Sequence, residues 1–158
     1  MGLVPQVFTG EILHTLVGKM AVGHTRYSTT GSSHIQNAQP LTINCRLGPV
    51  AIAHNGNLTN ASQLRTELAA SGQTFQTTVD SEIILSLLAL PTLNGSGNNL
   101  VQTMRRLEGA YSLVIMTDKE LIGVRDPHGF RPLCIGKVND AWVLASEQCA
   151  LDLIHAKF

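Results

Sequence analysis

The sequence predicts a soluble domain of the mixed α+β class, and three observations support this. Short, mostly apolar runs at 49–54 and 111–116 are typical of buried strands. Between these runs, apolar residues recur at helical spacing behind residues that commonly cap helices. Helices are thus grouped in the middle of the chain, with strands before and after them. This pattern favours separate helical and sheet layers over alternating βαβ units.

Composition directs the search for function to a specific site. The chain has 158 residues, of which 44% are hydrophobic and 14% charged, enough for one domain with a buried core. Lys plus Arg and Asp plus Glu number 11 each, so bulk charge gives no indication of nucleic acid. The sequence has no apolar run of about 18 residues for a membrane span and shows no secretory signal. We therefore expect a cytoplasmic protein without nucleic-acid or membrane partners.

The cysteines agree with a reducing compartment. Cys45, Cys134 and Cys149 are odd in number and form no CxxC pair. This favours a reduced cytosolic protein over a disulfide scaffold, and no ligand spacing supports a zinc site.

The first half of the chain also predicts a strand at 20–24 and two helices. The first helix would begin behind Asn60, where a cap is followed by Gln three residues later, and would end near Gly72. The second helix would be capped by Asp80 or Ser81. The inward-facing residues would be Leu64 and Leu68 in the first helix, and Ile83, Ile84, Leu87 and Leu88 in the second.

The second half predicts one more helix before the strands. This helix would be capped by Asn98 or Asn99, at the end of the turn-rich stretch 94–99, and would end at Gly109. A final helix would begin near Glu147. The intervening strands are expected at 111–116, 121–124, 133–135 and 142–145.

The first of four polar segments, 23–31, places Arg26 directly behind an apolar run. A guanidinium at such a strand end can hold a carboxylate through two parallel hydrogen bonds, and the hydroxyls that follow can add donors. The alternative is an exposed arginine followed by a Ser/Thr turn. Spacing alone leaves both open.

The second segment is Asn55–Gly56, at the end of the run 49–54. Asn-Gly is first of all a turn signal, because both residues tolerate positive φ. The same geometry can expose the glycine N–H beside the asparagine side-chain amide. Two such donors would form an oxyanion hole.

The third segment, 77–82, contains Asp80. Acidic residues here suit the start of a helix, where the helix dipole favours negative charge. An aspartate in this position can also bind an ammonium group, so the structural and functional interpretations coexist.

The fourth segment, 124–133, is a charged loop framed by two prolines and a glycine. One interpretation is a structural corner, in which Asp126 pairs with Arg125 or Arg131. A functional role is the other, and the residues alone do not decide between them.

Taken in order along the chain, these segments resemble the class II glutamine amidotransferase family. The matching strings are 23–31, Asn-Ala-Gln-Pro at 37–40, Ala-His-Asn-Gly-Asn-Leu at 53–58, Asp-Ser-Glu at 80–82, the loop 125–133 and Ala-Ser-Glu at 145–147. The resemblance covers nearly the whole chain. It implies an N-terminal-nucleophile fold, a four-layer αββα sandwich of two sheets between helical layers, incomplete here at its N-terminal edge.

Three features resemble the amidophosphoribosyltransferase branch of that family. Tyr27 follows Arg26, positions 37–40 read Asn-Ala-Gln-Pro, and the loop reads Arg-Asp-Pro-His-Gly-Phe-Arg-Pro-Leu. The sugar-phosphate aminotransferase branch, the alternative, usually has Trp after the arginine and His-Pro-His in place of Gln-Pro. The resemblance implies a parent enzyme that hydrolyses glutamine and uses the ammonia to convert phosphoribosyl pyrophosphate to phosphoribosylamine, the first committed step of purine synthesis.

The resemblance also implies roles for single residues. Arg26 matches the residue that holds the glutamine α-carboxylate, and Asp80 matches the one that holds its α-ammonium. Asn55 and Gly56 match the oxyanion hole, and Thr29 matches a nearby substrate contact. Opposed charges at the two ends of a zwitterion would explain a preference for free glutamine over glutamine within a peptide.

In this family the nucleophile is a cysteine at the mature N-terminus, whose own α-amino group acts as the base. Here the chain begins Met1-Gly2-Leu3-Val4, which resembles an internal family segment. The resemblance therefore implies that residues 1–158 are a partial glutaminase domain, truncated at both ends and inactive alone.

The expected ligands divide between this chain and the rest of the parent enzyme. We expect glutamine to bind here and no cofactor to be held in this chain. Phosphoribosyl pyrophosphate, Mg²⁺ and the iron–sulfur cluster of some family members would belong to the missing part of a homo-oligomeric parent. Two alternatives stay open: a non-catalytic glutamine-binding or regulatory module, and a chain that does not fold alone because its sheet edges are exposed.

Overall fold

A four-stranded antiparallel sheet forms the centre of the molecule. The computed structural model describes residues 3–25, 35–91 and 99–158. The strands of the central sheet lie side by side in chain order, with the second and third in the middle. They are β1 (Leu41–Cys45), β2 (Gly48–Leu58), β3 (Gly109–Met116) and β4 (Leu121–Arg125).

One face of this sheet is apolar, and its register explains why. Ile52 lies opposite Ile115, and His54 lies opposite Leu113. Because side chains alternate between the two faces of a strand, these four residues share one face with Tyr111. Tyr111, Ile52, Leu113 and Ile115 belong to the hydrophobic core, each at most 2% exposed.

Three helices cover the apolar face: α3 (Ala61–Ala70), α4 (Asp80–Ala89) and α5 (Asn99–Met104). Of these, α4 is the most deeply buried. Its four residues that were expected to face inward, Ile83, Ile84, Leu87 and Leu88, are each at most 3% exposed. None of the helices in the described ranges combines the length and apolar character needed to cross a bilayer.

A hairpin lies against the opposite face of the sheet. It consists of β5 (Cys134–Val138) and β6 (Ala141–Ala145). A Cβ atom on Gly123 of β4 would lie 3.0 Å from Leu144 of the hairpin, so the two sheets are in close contact there.

A last helix packs on the outer side of this hairpin. It is α6 (Gln148–Leu153), and its Leu151 is fully buried. A Cβ atom on Gly136 would lie 3.1 Å from Leu151. In the hairpin, Leu144 pairs with Ile135, the neighbour of Gly136, so Leu144 and Gly136 face opposite sides of the hairpin. The central sheet, which contacts Leu144, and α6, which contacts Gly136, therefore lie on opposite faces of the hairpin. The layers therefore run helices, sheet, hairpin, helix, which is the expected αββα order.

The N-terminal part of the chain differs from expectation. The strand expected at 20–24 is wrong, since no strand forms there. Upstream of this segment the chain forms two short helices, α1 (Val4–Val7) and α2 (Gly10–Thr15), neither of which has a buried residue. A strand needs a neighbouring strand to bond with as well as an apolar pattern, and residues 20–24 pair with no strand among the described residues.

Helix boundaries also differ in detail. Asn60 precedes α3 as expected, but its side chain does not cap the helix and instead bonds to Arg106 O and Glu108 N. The residue that precedes α4 is Val79, so Asp80 is the first helical residue and not the cap. The third expected helix ends earlier than Gly109, because that glycine begins β3.

Candidate functional site

Asn55 and Gly56 lie inside β2 and not in a turn. Asn55 is opposite Ser112 and Gly56 is opposite Tyr111, and the strand continues to Leu58. The expectation of a turn here is therefore wrong. The positive φ that motivated it is present at Gly56, where φ is 140°.

Gly56 is required by a close approach between β2 and β3. A Cβ atom on Gly56 would lie 2.1 Å from Ala110 O and 2.7 Å from Tyr111 Cα. Gly109, opposite Leu58, has φ 139° and is equally crowded, since its Cβ would lie 2.4 Å from Asn57 O. Two glycines on adjacent strands thus permit a contact that side chains would prevent, and they fix the backbone beside Asn55.

The structure brings Asp80 to the end of the same strand. Its Oδ2 accepts a hydrogen bond from Leu58 N at 2.8 Å. Leu58 is two residues beyond Gly56 in β2, so the carboxylate and the Asn55–Gly56 pair belong to one region. Asp80 is half-buried in the first turn of α4, where the helix dipole stabilises its negative charge.

The segment that leads into Asp80 is held firmly. Glu82 accepts hydrogen bonds from Thr77 N at 2.8 Å and from Thr77 Oγ1 at 2.7 Å. Arg65 of α3 donates to Thr77 O at 3.1 Å and Val79 O at 3.4 Å, and its guanidinium lies 4.2 Å from the centre of the Phe75 ring. These contacts fix the path of the backbone that leads into Asp80.

Asn37 and Gln39 are neighbours of this region that the sequence interpretation did not assign to the site. Asn37 bonds to Thr78, two residues before Asp80. Gln39 bonds to the backbone of His54, directly before Asn55. The Asn-Ala-Gln-Pro string that contains both is one of the strings that resemble the family, and it is the sequence signal that points to these two residues.

His54 lies beneath the candidate site as a neutral side chain. Burial, followed by the nearby positive groups of His24 and Arg131, lowers the pKa of His54 from 6.5 to about 4. His24 Nε2 lies 3.0 Å from His54 O, a hydrogen bond in the tautomer that carries the proton on Nε2. The buried imidazole is therefore uncharged at neutral pH.

The loop 125–133 is a structural corner built around a buried carboxylate. Asp126 is 4% exposed and accepts backbone hydrogen bonds from Tyr111 at 3.3 Å, and from His128, Phe130 and Arg131 at 3.0–3.1 Å. Burial acts to raise the pKa of Asp126, but these four N–H donors outweigh it and hold the pKa below its ordinary value.

The corner differs from the expected one in its hydrogen-bond partners. Arg125 donates to Gly129 O and Arg131 O, both at 2.7 Å, and Asp126 binds backbone amides in place of a guanidinium. No ion pair between Asp126 and an arginine occurs among the described residues. The structural interpretation of this loop is thus supported, with different partners.

Two of the expected site residues, Arg26 and Thr29, lie outside the described residues. Within the described ranges, no group of three or more His, Cys, Asp or Glu side chains could hold a metal ion. Of the five site residues expected from the sequence, the structure describes Asn55, Gly56 and Asp80, and it places these three in one region.

Comparisons with known proteins identify the family of the chain. The family described as "Glutamine amidotransferase domain" matches residues 24–153. The amidophosphoribosyltransferase of Synechocystis is 53% identical over 164 residues, covering 100% of this chain and 33% of that protein. The corresponding protein of Archaeoglobus fulgidus is 44% identical over 160 residues, covering 100% of this chain and 35% of that protein.

Solved structures show the same relationship. The chain matches a structure described as the allosteric regulatory enzyme of purine biosynthesis, with a TM-score of 0.90 and 41% identity over 99% of this chain and 34% of the other. Glutamine phosphoribosylpyrophosphate amidotransferase from B. subtilis, solved with ADP and GMP, matches with a TM-score of 0.76 and 40% identity over 85% of this chain and 29% of the other.

The resemblance inferred from the motifs is confirmed, as is the fold class. The chain spans about a third of the length of the curated relatives that it matches. Its matched part is the amidotransferase portion of those enzymes, an N-terminal-nucleophile fold of the α+β class. The chain belongs to the glutamine amidotransferase domain family.

Proposed function

We propose that this chain contains the glutamine-binding site of an amidophosphoribosyltransferase. In the whole enzyme, free glutamine would be hydrolysed at its side-chain amide, and the ammonia would convert phosphoribosyl pyrophosphate to phosphoribosylamine for purine synthesis. The observation that carries the proposal is the hydrogen bond from Leu58 N to Asp80, because it joins a carboxylate to the strand that bears Asn55 and Gly56. Phosphoribosyl pyrophosphate and its Mg²⁺ would bind in the part of the relatives that this chain does not match.

In the proposed complex, charge holds the two ends of the amino acid. Asp80 binds the α-ammonium of glutamine, and Arg26 binds its α-carboxylate, with Thr29 nearby. A glutamine within a peptide lacks both charges and would leave both protein groups unpaired. The site thereby selects free glutamine.

The chemistry of amide hydrolysis requires donors for the oxygen that becomes negative in the transition state. We assign this role to the side-chain amide of Asn55 and the backbone N–H of Gly56. The close β2–β3 contact at Gly56 supports the assignment, since preorganised donors need no rearrangement during the reaction. Loss of one such donor typically costs about 2.7–4 kcal/mol of barrier.

None of the three cysteines in the chain suits the role of nucleophile. Cys45, Cys134 and Cys149 are all free thiols at internal positions, where they have no α-amino group to act as base. A hydrogen bond to Glu147, with burial as a smaller cause, raises the pKa of Cys149, which opposes formation of the reactive thiolate. We infer that residues 1–158 alone do not hydrolyse glutamine.

Calorimetry with L-glutamine tests the proposal. We expect saturable binding that is lost in Asp80→Asn and in Arg26→Ala, and retained in Asp118→Asn, which removes an exposed carboxylate from the turn after β3. Ammonia release should stay at the level of a buffer blank in the wild-type chain and in all three variants. Binding that survives both site substitutions would contradict the assignment, and turnover that is lost in Asn55→Ala would contradict the inferred inactivity.

A further inference from the structure

Two amide side chains of one short segment reach both halves of the proposed glutamine site. Asn37, at the end of a 3-10 helix, is 2% exposed. Its Nδ2 donates to Thr78 Oγ1 at 3.2 Å, and its Oδ1 accepts from Thr78 N at 3.3 Å. Gln39 Oε1 accepts from His54 N at 2.7 Å. We call these two side chains, Asn37 and Gln39, the brace.

The targets of the brace immediately precede the proposed ligand-binding groups. Thr78 is two residues before Asp80, and His54 is one residue before Asn55. The brace therefore connects the start of α4 to the middle of β2 by a route that avoids the ligand-binding side chains themselves. Both contacts involve backbone N–H groups, so they set the path of the main chain.

A direct link between α4 and β2 also exists, but it involves the ligand-binding group. Asp80 Oδ2 accepts from Leu58 N, and the same carboxylate would have to receive the ammonium of glutamine. An ionised carboxylate can accept several hydrogen bonds, so both contacts are compatible. The brace, in contrast, uses no group that is proposed to bind the ligand, so it can maintain the spacing whether the site is empty or full.

We propose, on the basis of the function proposed above, that Asn37 and Gln39 are positioning residues. Asn37 places the carboxylate of Asp80 for the α-ammonium of glutamine, and Gln39 places Asn55 and Gly56 for its side-chain carbonyl. Neither touches the ligand. Together they set the distance between the two groups to the length of one glutamine.

The test pairs two variants with two truncated ligands, using the full 158-residue chain. The ligand 4-carbamoylbutanoate lacks the α-amino group of glutamine, and L-norvaline has a methyl group in place of its carboxamide. Asn37→Ala should weaken glutamine binding about fivefold to tenfold, the size expected from one lost hydrogen-bonding contact. It should reduce the preference for glutamine over 4-carbamoylbutanoate and leave the preference over norvaline unchanged.

Gln39→Leu should give the reverse pattern. The preference for glutamine over norvaline should fall, while the preference over 4-carbamoylbutanoate stays. Conservative variants provide the rescue: Asn37→Asp retains the acceptor for Thr78 N, and Gln39→Glu retains the acceptor for His54 N. Both should bind glutamine more tightly than their truncated counterparts.

Asn99→Ala is the matched control. The side chain of Asn99 also joins an amide to backbone carbonyls of the α4 region, donating to Leu88 O and to Leu90 O at the opposite end of the helix from Asp80. This variant loses comparable hydrogen bonds in the same layer. It should change neither preference, because it does not act on the start of α4 or on β2.

Hydrogen exchange in the ligand-free chain separates failure of this inference from failure of the proposed function. Asn37→Ala should raise exchange at Leu58 N–H, which donates to Asp80, and Gln39→Leu should raise it at His54 N–H, which donates to Gln39, and at the neighbouring Asn55 N–H. If the exchange rises as stated but the wild-type chain does not bind glutamine, the proposed function is wrong and the brace is real. If protection is unchanged, or if both ligand preferences fall together in both variants, the positioning roles are wrong.

Discussion

The positive φ expected at Gly56 is confirmed, but the turn in which it was expected is wrong, and Gly109 on the opposite strand explains the difference. Asn-Gly predicts positive φ, and Gly56 has it. A turn was the local interpretation of that signal, but the cause is the strand opposite, where Gly109 makes the reciprocal contact. Because these glycines are far apart in sequence, only the pairing of β2 with β3 reveals that they act together.

Replacing Gly56 should destabilise the fold far more than replacing a glycine with positive φ in open space. In Gly56→Ala the new Cβ would lie 2.1 Å from Ala110 O, whereas at Gly48, with φ 84°, nothing lies within 4 Å. We expect a loss of at least about 3 kcal/mol for Gly56→Ala, where overlap adds to strain, and about 1 kcal/mol for Gly48→Ala, where strain acts alone. Urea denaturation measures both, and equal losses would contradict the close contact.

His54 should make stability depend on pH between about 6.5 and 4. The folded protein holds the imidazole neutral, with a pKa lowered to about 4, while the unfolded chain protonates it near 6.5. The unfolded state therefore binds more protons in this window, so stability is full above pH 6.5 and falls as pH decreases towards 4. The whole effect is about 3 kcal/mol.

The same unfolding measurement at pH 7 and pH 4.5 tests the role of His54. His54→Gln should lose clearly less stability than the wild type between these values, because its side chain does not titrate. The exposed His14 serves as the control, and His14→Gln should follow the wild type. A His54→Gln profile that matches the wild type would show that another group causes the dependence.

At the scale of elements, the sequence predicted best where one segment determines its own structure. The helices α3 and α4 carry apolar residues at helical spacing, and the expected inward-facing residues, such as Leu64 and Ile84, are buried. β1 was not predicted, although its apolar Leu41, Ile43 and Cys45 alternate with polar residues, a pattern typical of a half-buried strand. The apolar pattern at 20–24 did not suffice to predict a strand, because a strand also needs a neighbouring strand to bond with.

The loop after β4 is an element whose order depends on one carboxylate. Asp126→Asn would place an amide NH₂ where four backbone N–H groups now converge on two oxygens, so some of these bonds must break. We expect hydrogen exchange at Phe130 and Arg131 N–H to rise by at least about tenfold, in keeping with the loss of a charge-assisted hydrogen bond. The control Asp140→Asn alters an exposed turn and should leave both amides protected.

At the scale of the whole molecule, the order of the layers came from resemblance and was confirmed by the structure and by its relatives. Helices, sheet, hairpin and α6 stack as in an αββα sandwich, and the TM-score of 0.90 to a solved relative agrees. The α+β class itself follows from the order of apolar runs and helical patterns. The contact of Asp80 with β2 cannot be predicted from that order. It depends on how α4 crosses the sheet, which is a long-range property that the order of motifs does not specify.

Titration of the ¹⁵N-labelled chain with L-glutamine tests the central claim most directly, since it locates the bound ligand. We predict that the backbone amide signals of Asn55, Gly56 and Asp80 shift together with one dissociation constant, while that of Gly136, between the hairpin and α6, stays in place. Shifts at Asp80 without shifts at Asn55 and Gly56, or shifts confined to another surface, would contradict a single glutamine site.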